Sequence, residues 1–73
     1  MSPKMPRLTA KELVAALKKL GFYEHHQKGG HLILKHSSKD CRVTVPMHTG
    51  KILKIGTLKS ILEKAEVSIE DIL

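Results

Sequence analysis

The sequence predicts an α+β domain in which one helix, three antiparallel strands and a second helix follow one another (αβββα), with both helices on one face of the sheet. Three observations predict this order. Apolar residues recur at helical spacing near both ends of the chain, short strand-like runs lie between them, and turn-forming residues separate those runs. The length of 73 residues allows one small core, so we expect one domain over residues 1–73.

The first helix is predicted to follow a flexible arm, residues 1–7, which contains two prolines and two basic residues. Thr9 and Glu12 have the spacing of a capping box, in which each side chain bonds to the backbone of the other residue. One apolar face follows, formed by Leu13, Val14, Leu17 and Leu20. Gly21 is expected to end the helix, because glycine readily adopts the left-handed backbone conformation found there.

Three short strands are predicted next, over residues 22–28, 31–36 and 42–45. Gly29-Gly30 forms a two-residue hairpin turn between the first two strands. Pro46 is expected to end the third strand, because proline has no N–H group for the strand ladder.

The face of each strand is less certain from the pattern alone. A four-residue turn over 37–40 would place Leu32 and Leu34 beside the valines of the third strand and leave His31 on the opposite face. A one-residue slip or a bulge would reverse the faces, so both arrangements remain open.

The second helix is predicted to open at Gly56-Thr57, after a loop over residues 47–55. Its apolar stripe consists of Leu58, Ile61, Leu62 and Ala65. Ser68 with Asp71 is expected to cap a last turn. Two helices on one face of a three-stranded sheet are the architecture of double-stranded-RNA-binding domains, although a fold alone does not establish a function.

The charge distribution favours a polyanionic partner. Thirteen Lys and Arg against seven Asp and Glu give a net charge of +6. Residues 1–62 carry twelve of these bases and only three acids, so the main body is more basic than the whole chain. We favour nucleic acid binding over charge kept only for solubility. The single cysteine, Cys41, excludes an internal disulfide, and the absence of a secretory or membrane-spanning segment predicts a cytoplasmic location.

Histidine is the main candidate for chemistry. Phosphate-binding loops of the G-x-x-x-x-G-K type, H-E-x-x-H and G-x-S-x-G are absent, and clustered carboxylates for a two-metal nuclease are scarce. A zinc site from His36, Cys41 and His48 is a weak alternative, so we expect no metal and no cofactor. His31 follows the glycine turn and could exchange a proton near neutral pH, although an exposed structural histidine is the commoner role for such a residue.

Three blocks of sequence, in order, carry a resemblance to a known family. They are Gln27-Lys-Gly-Gly-His31, Val43-Thr-Val-Pro-Met-His48 and Gly56-Thr-Leu-Lys-Ser-Ile-Leu62. Together they resemble the HicA toxin family. The resemblance implies a double-stranded-RNA-binding-like fold, mRNA interferase activity, a HicB-type antitoxin partner and a single catalytic histidine, which matches His31. The chain departs from the family at Gly30, where serine is more frequent, and at Glu66, where glycine is frequent.

For this activity we expect an endoribonuclease in which His31 assists the attack of a ribose 2′-hydroxyl on the adjacent phosphorus, without metal. Residues expected to bind the RNA are Lys28, Gly29, Gly30, Lys35, His48, Lys51 and Lys54. The expected partners are mRNA and the antitoxin, with no membrane and no small-molecule cofactor. One Phe and one Tyr leave little for base stacking, so sequence preference should be weak. The alternative is a non-catalytic RNA-binding module of the same fold.

Overall fold

The computed structural model describes residues 7–47 and 51–72. Its elements are helix α1 (Ala10–Lys19), strands β1 (Phe22–Lys28), β2 (His31–His36) and β3 (Arg42–Pro46), and helices α2 (Ile55–Ala65) and α3 (Ile69–Ile72). The strands form one antiparallel sheet in the order β1-β2-β3. The predicted αβββα order is therefore confirmed, and the predicted last turn is α3. Of the predicted arm over residues 1–7, only Arg7 is described.

Helix α1 begins and ends as its sequence predicts. The hydroxyl of Thr9 accepts a hydrogen bond from the Glu12 N–H at 3.2 Å, and the Thr9 N–H donates to the Glu12 carboxylate at 3.1 Å. Leu20 is the C-cap, and Gly21 follows with φ of +101°. Glycine occupies this conformation without the steric cost that a Cβ atom would add.

The register of the strands decides which faces are buried. Leu32 lies opposite Val45 and Leu34 opposite Val43, which is the arrangement that the sequence pattern left open. These side chains are at most 4% exposed and point toward the helices. Because side chains alternate along a strand, His31 lies on the other face of the sheet.

One hydrophobic core lies between that face of the sheet and the helices. Its helical members include Leu13, Val14 and Leu17 of the predicted α1 face and the whole predicted stripe of α2. Leu20, the last residue of the predicted α1 face, is only partly buried and packs against this core. Both long helices therefore cover the same face of the sheet, as predicted. The opposite face, which we call the open face, carries no helix in the described part of the chain. None of the described helices is long and apolar enough to cross a membrane.

Strand β1 contains a bulge that the sequence pattern did not locate. Glu24 pairs with Leu34 and His26 with Ile33, so His25 is an extra residue between the two pairs. Before the bulge, the Glu24 carboxylate pairs with the Lys18 ammonium of α1. After it, the register is regular up to the hairpin turn.

The segment before α2 is attached to the start of α1. The Leu53 N–H donates to the Leu8 carbonyl at 2.8 Å, and Thr9 and Ile52 form an isolated β-bridge. Helix α2 begins at Ile55, one residue before the predicted start. Its N-cap residue is Lys54, whose side chain makes no capping hydrogen bond. The loop predicted over residues 47–55 is described only in part.

Helix α2 ends at Ala65, and its C-cap residue Glu66 has φ of +57°. This left-handed conformation costs a non-glycine residue about 1 to 2 kcal/mol.

Because glycine also gains entropy in the unfolded chain, we expect Glu66→Gly to raise the free energy of unfolding by only about 0.5 to 1 kcal/mol. The melting temperature should then rise by about 2 to 8 °C. Glu63→Gly, an exposed change inside the same helix, is the matched control and should be destabilising. A Glu66→Gly protein that melts at or below the parent temperature would contradict this account.

Candidate active site

His31 is the first residue of β2, directly after the glycine turn. It pairs with Lys28 on one side and with Pro46 on the other. The Met47 N–H donates to the Gly30 carbonyl at 2.6 Å and holds the turn against the end of β3. The His31 side chain is exposed, and its ring has no hydrogen bond to another described residue. An incoming ligand can therefore reach both ring nitrogens.

The two glycines of the turn have different backbone conformations. Gly29 has φ of +59°, whereas Gly30 does not have a positive φ, which agrees with a type II′ turn. A Cβ atom added at Gly30 would meet no atom within 4 Å. A small side chain such as that of serine could therefore replace Gly30 without a steric clash at Cβ.

The open face of the sheet is basic. The register of the strands and the alternation of side chains along each strand show which residues belong to the open face. They are Tyr23, His26, Lys28, His31, Ile33, Lys35, Arg42, Thr44 and Pro46. None of them is acidic, and three are Lys or Arg. Opposite charge attracts a phosphate backbone to such a surface, and His31 lies within it.

The predicted cations on the sheet lie at two places. Lys28 is the direct cross-strand neighbour of His31, so both side chains can contact one phosphodiester. Lys35 is on the same face but four residues along β2, about 13 Å away, and its neighbour is Arg42. Lys35 is therefore too far from His31 for the two side chains to contact the same phosphate-sized group.

The remaining predicted cations lie across Pro46 from His31. Lys51, Lys54 and Pro46 help to line a cavity of about 360 Å³ between β3 and the start of α2. The first turn of α2 contains no acidic residue and no side-chain cap, so its positive dipole end is not neutralised locally. This cavity adjoins the row of residues that contains His31. His48, also predicted to bind RNA, lies outside the described residues.

The other histidines fall into two kinds. The His36 ring has both nitrogens in hydrogen bonds: Nε2 donates to the Leu20 carbonyl at 2.8 Å, and Nδ1 accepts from the Ser38 and Lys39 N–H groups at 3.0 and 2.9 Å. These bonds would have to break before His36 could ligate the zinc considered from the sequence. Among the described residues, no group of three potential ligands could hold a metal ion. His25 and His26, by contrast, are exposed.

Sequence reasoning missed three residues of the open face that carry a ring or a cation able to contact a ligand, namely Tyr23, His26 and Arg42. Tyr23 is 46% exposed and lies in a row with Lys35 and Arg42. Counting back from the glycine turn would have assigned His26 to the face of His31, since that segment has regular register. The bulge at His25 leaves no comparable signal in the sequence, so the position of Tyr23 could not be counted in this way.

Comparison with known proteins gives one finding. A family model described as HicA toxin of bacterial toxin-antitoxin matches residues 10–67, which run from the start of α1 to just beyond α2. No curated protein matches the chain.

Proposed function

Because the chain belongs to the HicA toxin family, a family of bacterial toxin-antitoxin toxins, we propose that it is a metal-independent endoribonuclease that cuts mRNA with His31. The observation that carries the proposal is the position of His31: an exposed imidazole beside Lys28, on a sheet face with three cations and no carboxylate. We expect the activity in the cytoplasm, where mRNA is available.

The proposed reaction uses the ribose of the substrate as the nucleophile. His31 accepts the proton of the 2′-hydroxyl while the 2′-oxygen attacks the adjacent phosphorus. The bond from phosphorus to the 5′-oxygen then breaks, which leaves a 2′,3′-cyclic phosphate and a 5′-hydroxyl end. Lys28 stabilises the negative charge that builds up on the phosphoryl oxygens. Lys35, Lys51 and Lys54 hold neighbouring phosphates, and Gly29, Gly30 and His48 also bind the RNA.

A substrate with one changed sugar tests the mechanism. The sites that the chain cuts in an mRNA are mapped first, and an oligonucleotide spanning one site is made with a 2′-deoxy sugar at the nucleotide that supplies the nucleophile. We expect no cleavage of that bond and normal cleavage of the all-ribose control, with equal rates in excess chelator. Cleavage of the deoxy bond would exclude 2′-hydroxyl attack, and activity that chelator removes and magnesium or zinc restores would indicate a metal mechanism.

We also propose that a HicB-type antitoxin inhibits by covering His31 and the open face. Acidic residues on the partner would speed its association with this basic surface, whereas tight inhibition also requires buried contacts. A non-cleavable RNA is titrated against the preformed complex of antitoxin and His31→Ala toxin. We expect the RNA and the antitoxin to compete. A ternary complex that holds RNA at the affinity of the free toxin would instead show that the antitoxin acts from another surface.

A further inference from the structure

The open face contains a second exposed imidazole close to His31. His26 pairs with Ile33 on the neighbouring strand, and Ile33 is two residues from His31 on β2. The bulge ends at His26, so residues 26–28 are in regular register with residues 31–33. Side chains two residues apart on a strand share a face. His26 and His31 are therefore diagonal neighbours on the open face.

The separation of this pair suits one phosphodiester group. Diagonal neighbours on adjacent antiparallel strands have Cα atoms about 7 to 8 Å apart and remain within reach of each other's aromatic side chains. The His26 ring is exposed and has no hydrogen bond to another described residue. Two imidazoles at this spacing can lie on either side of a phosphorus atom between them.

Cleavage by 2′-hydroxyl attack needs two proton transfers, one from the nucleophile and one to the leaving oxygen. Resting on the function proposed above, we propose that His26 is the general acid of the reaction and His31 its general base. His31 takes the 2′-hydroxyl proton as the bond from that oxygen to phosphorus forms. His26, in its protonated form, gives its proton to the 5′-oxygen as the bond from phosphorus to that oxygen breaks. No water or other reactant is consumed, and exposed rings recover their starting protonation by exchange with solvent.

Two neighbours of His26 and His31, Lys28 and His25, are less suited to act as the general acid. Lys28 is nearer to His31, but an ammonium group holds its proton firmly at neutral pH and is better suited to stabilising phosphate charge. His25 is the extra residue of the bulge and has no register partner on β2. His26 therefore combines the position and the chemistry that the second proton transfer requires.

The decisive experiment separates protonation of the leaving group from binding. The oligonucleotide spans a site that the parent chain cuts, and its leaving 5′-oxygen is either kept or replaced by sulfur, which departs without needing an acid. We expect His26→Gln to slow cleavage of the oxygen substrate by about 10²- to 10⁴-fold. On the sulfur substrate the same variant should be within roughly tenfold of the parent, because general-acid assistance is no longer needed.

Two matched variants serve as controls. His25→Gln changes the adjacent exposed histidine and should cleave both substrates at the parent rate. Lys28→Gln should slow both substrates by the same factor, because charge stabilisation is needed with either leaving group. The melting temperatures of all three variants are measured to confirm that each is folded.

The inference is overturned if His26→Gln cleaves the oxygen substrate at the parent rate, if it loses equal activity on both substrates, or if sulfur rescues His25→Gln or Lys28→Gln instead. These results leave the proposed function standing, since the parent still cuts RNA and depends on His31. A parent chain that cuts no RNA overturns the proposed function itself, and the role of His26 with it.

Discussion

Replacing His31 with alanine is expected to abolish the RNA cleavage proposed above, together with the growth arrest that we expect when a toxin of this kind is expressed. General acid-base catalysis by one positioned group contributes about 10²- to 10⁴-fold, and the neighbouring His26, to which the other proton transfer is assigned, cannot carry out both transfers in one reaction. The change should leave the fold intact, since the His31 side chain is exposed and its backbone pairing with Lys28 and Pro46 does not need the ring. Cleavage is measured on mapped mRNA sites, and growth after induced expression.

His25→Ala is the matched control for that experiment. It removes an exposed imidazole from the neighbouring strand, and we expect parent activity and the parent melting temperature. His31→Ala should also melt with the parent and bind non-cleavable RNA with similar affinity, because the cations of the open face remain. Cleavage by His31→Ala at the parent rate would show that His31 is not the catalytic residue, whereas a parent chain that cuts no RNA would favour the non-catalytic RNA-binding module.

Replacing Gly21 with alanine is expected to lower the free energy of unfolding by about 2 to 4 kcal/mol. The positive φ of Gly21 costs an alanine about 1 kcal/mol or more. Its Cβ atom would also lie 2.6 Å from Nε2 of His36, and relieving such a contact in a packed site typically costs about 1 to 3 kcal/mol. A chain of this size has only a small reserve of stability, so the loss is a large part of the total.

The His36 ring explains why that contact cannot be relieved cheaply. It packs edge-on against Phe22 with ring centroids 4.9 Å apart, and its hydrogen bonds join the end of α1 to the turn between β2 and β3. Moving the ring away from position 21 would weaken both sets of contacts. We expect the loss in chemical denaturation and in thermal melting.

Gly30→Ala is the control for the glycine change itself. Gly30 does not have a positive φ, and a Cβ atom there would meet no neighbour, so the variant should be as stable as the parent or slightly more stable. A Gly21→Ala protein as stable as Gly30→Ala would show that His36 can move freely and would contradict the role assigned to it.

The element order and both buried helix faces could be predicted because their causes are local. The Thr9 and Glu12 pair, the glycine turn and the apolar spacing of each helix act over a few residues, and the structure has all of them as predicted. The position of His31 at the turn follows from the same local rules. Its chemical role is implied by family resemblance and not by the pattern.

Other features of the site depend on contacts between distant parts of the chain. The pairing of β1 with β2 includes a bulge at His25, which determines which β1 residues before the hairpin share the face of His31. The bonding of Leu53 to Leu8 holds the segment with Lys51 and Lys54 near the end of β3.

The sequence by itself therefore determined which elements form and where the glycine turn with His31 lies, because short-range hydrogen bonds and side-chain periodicity act within each element. Only the tertiary structure decided which cations and which second histidine share a surface with His31. Strand register and the folding back of a loop join residues far apart in sequence, and their free energy depends on the whole packed sheet rather than on any one segment.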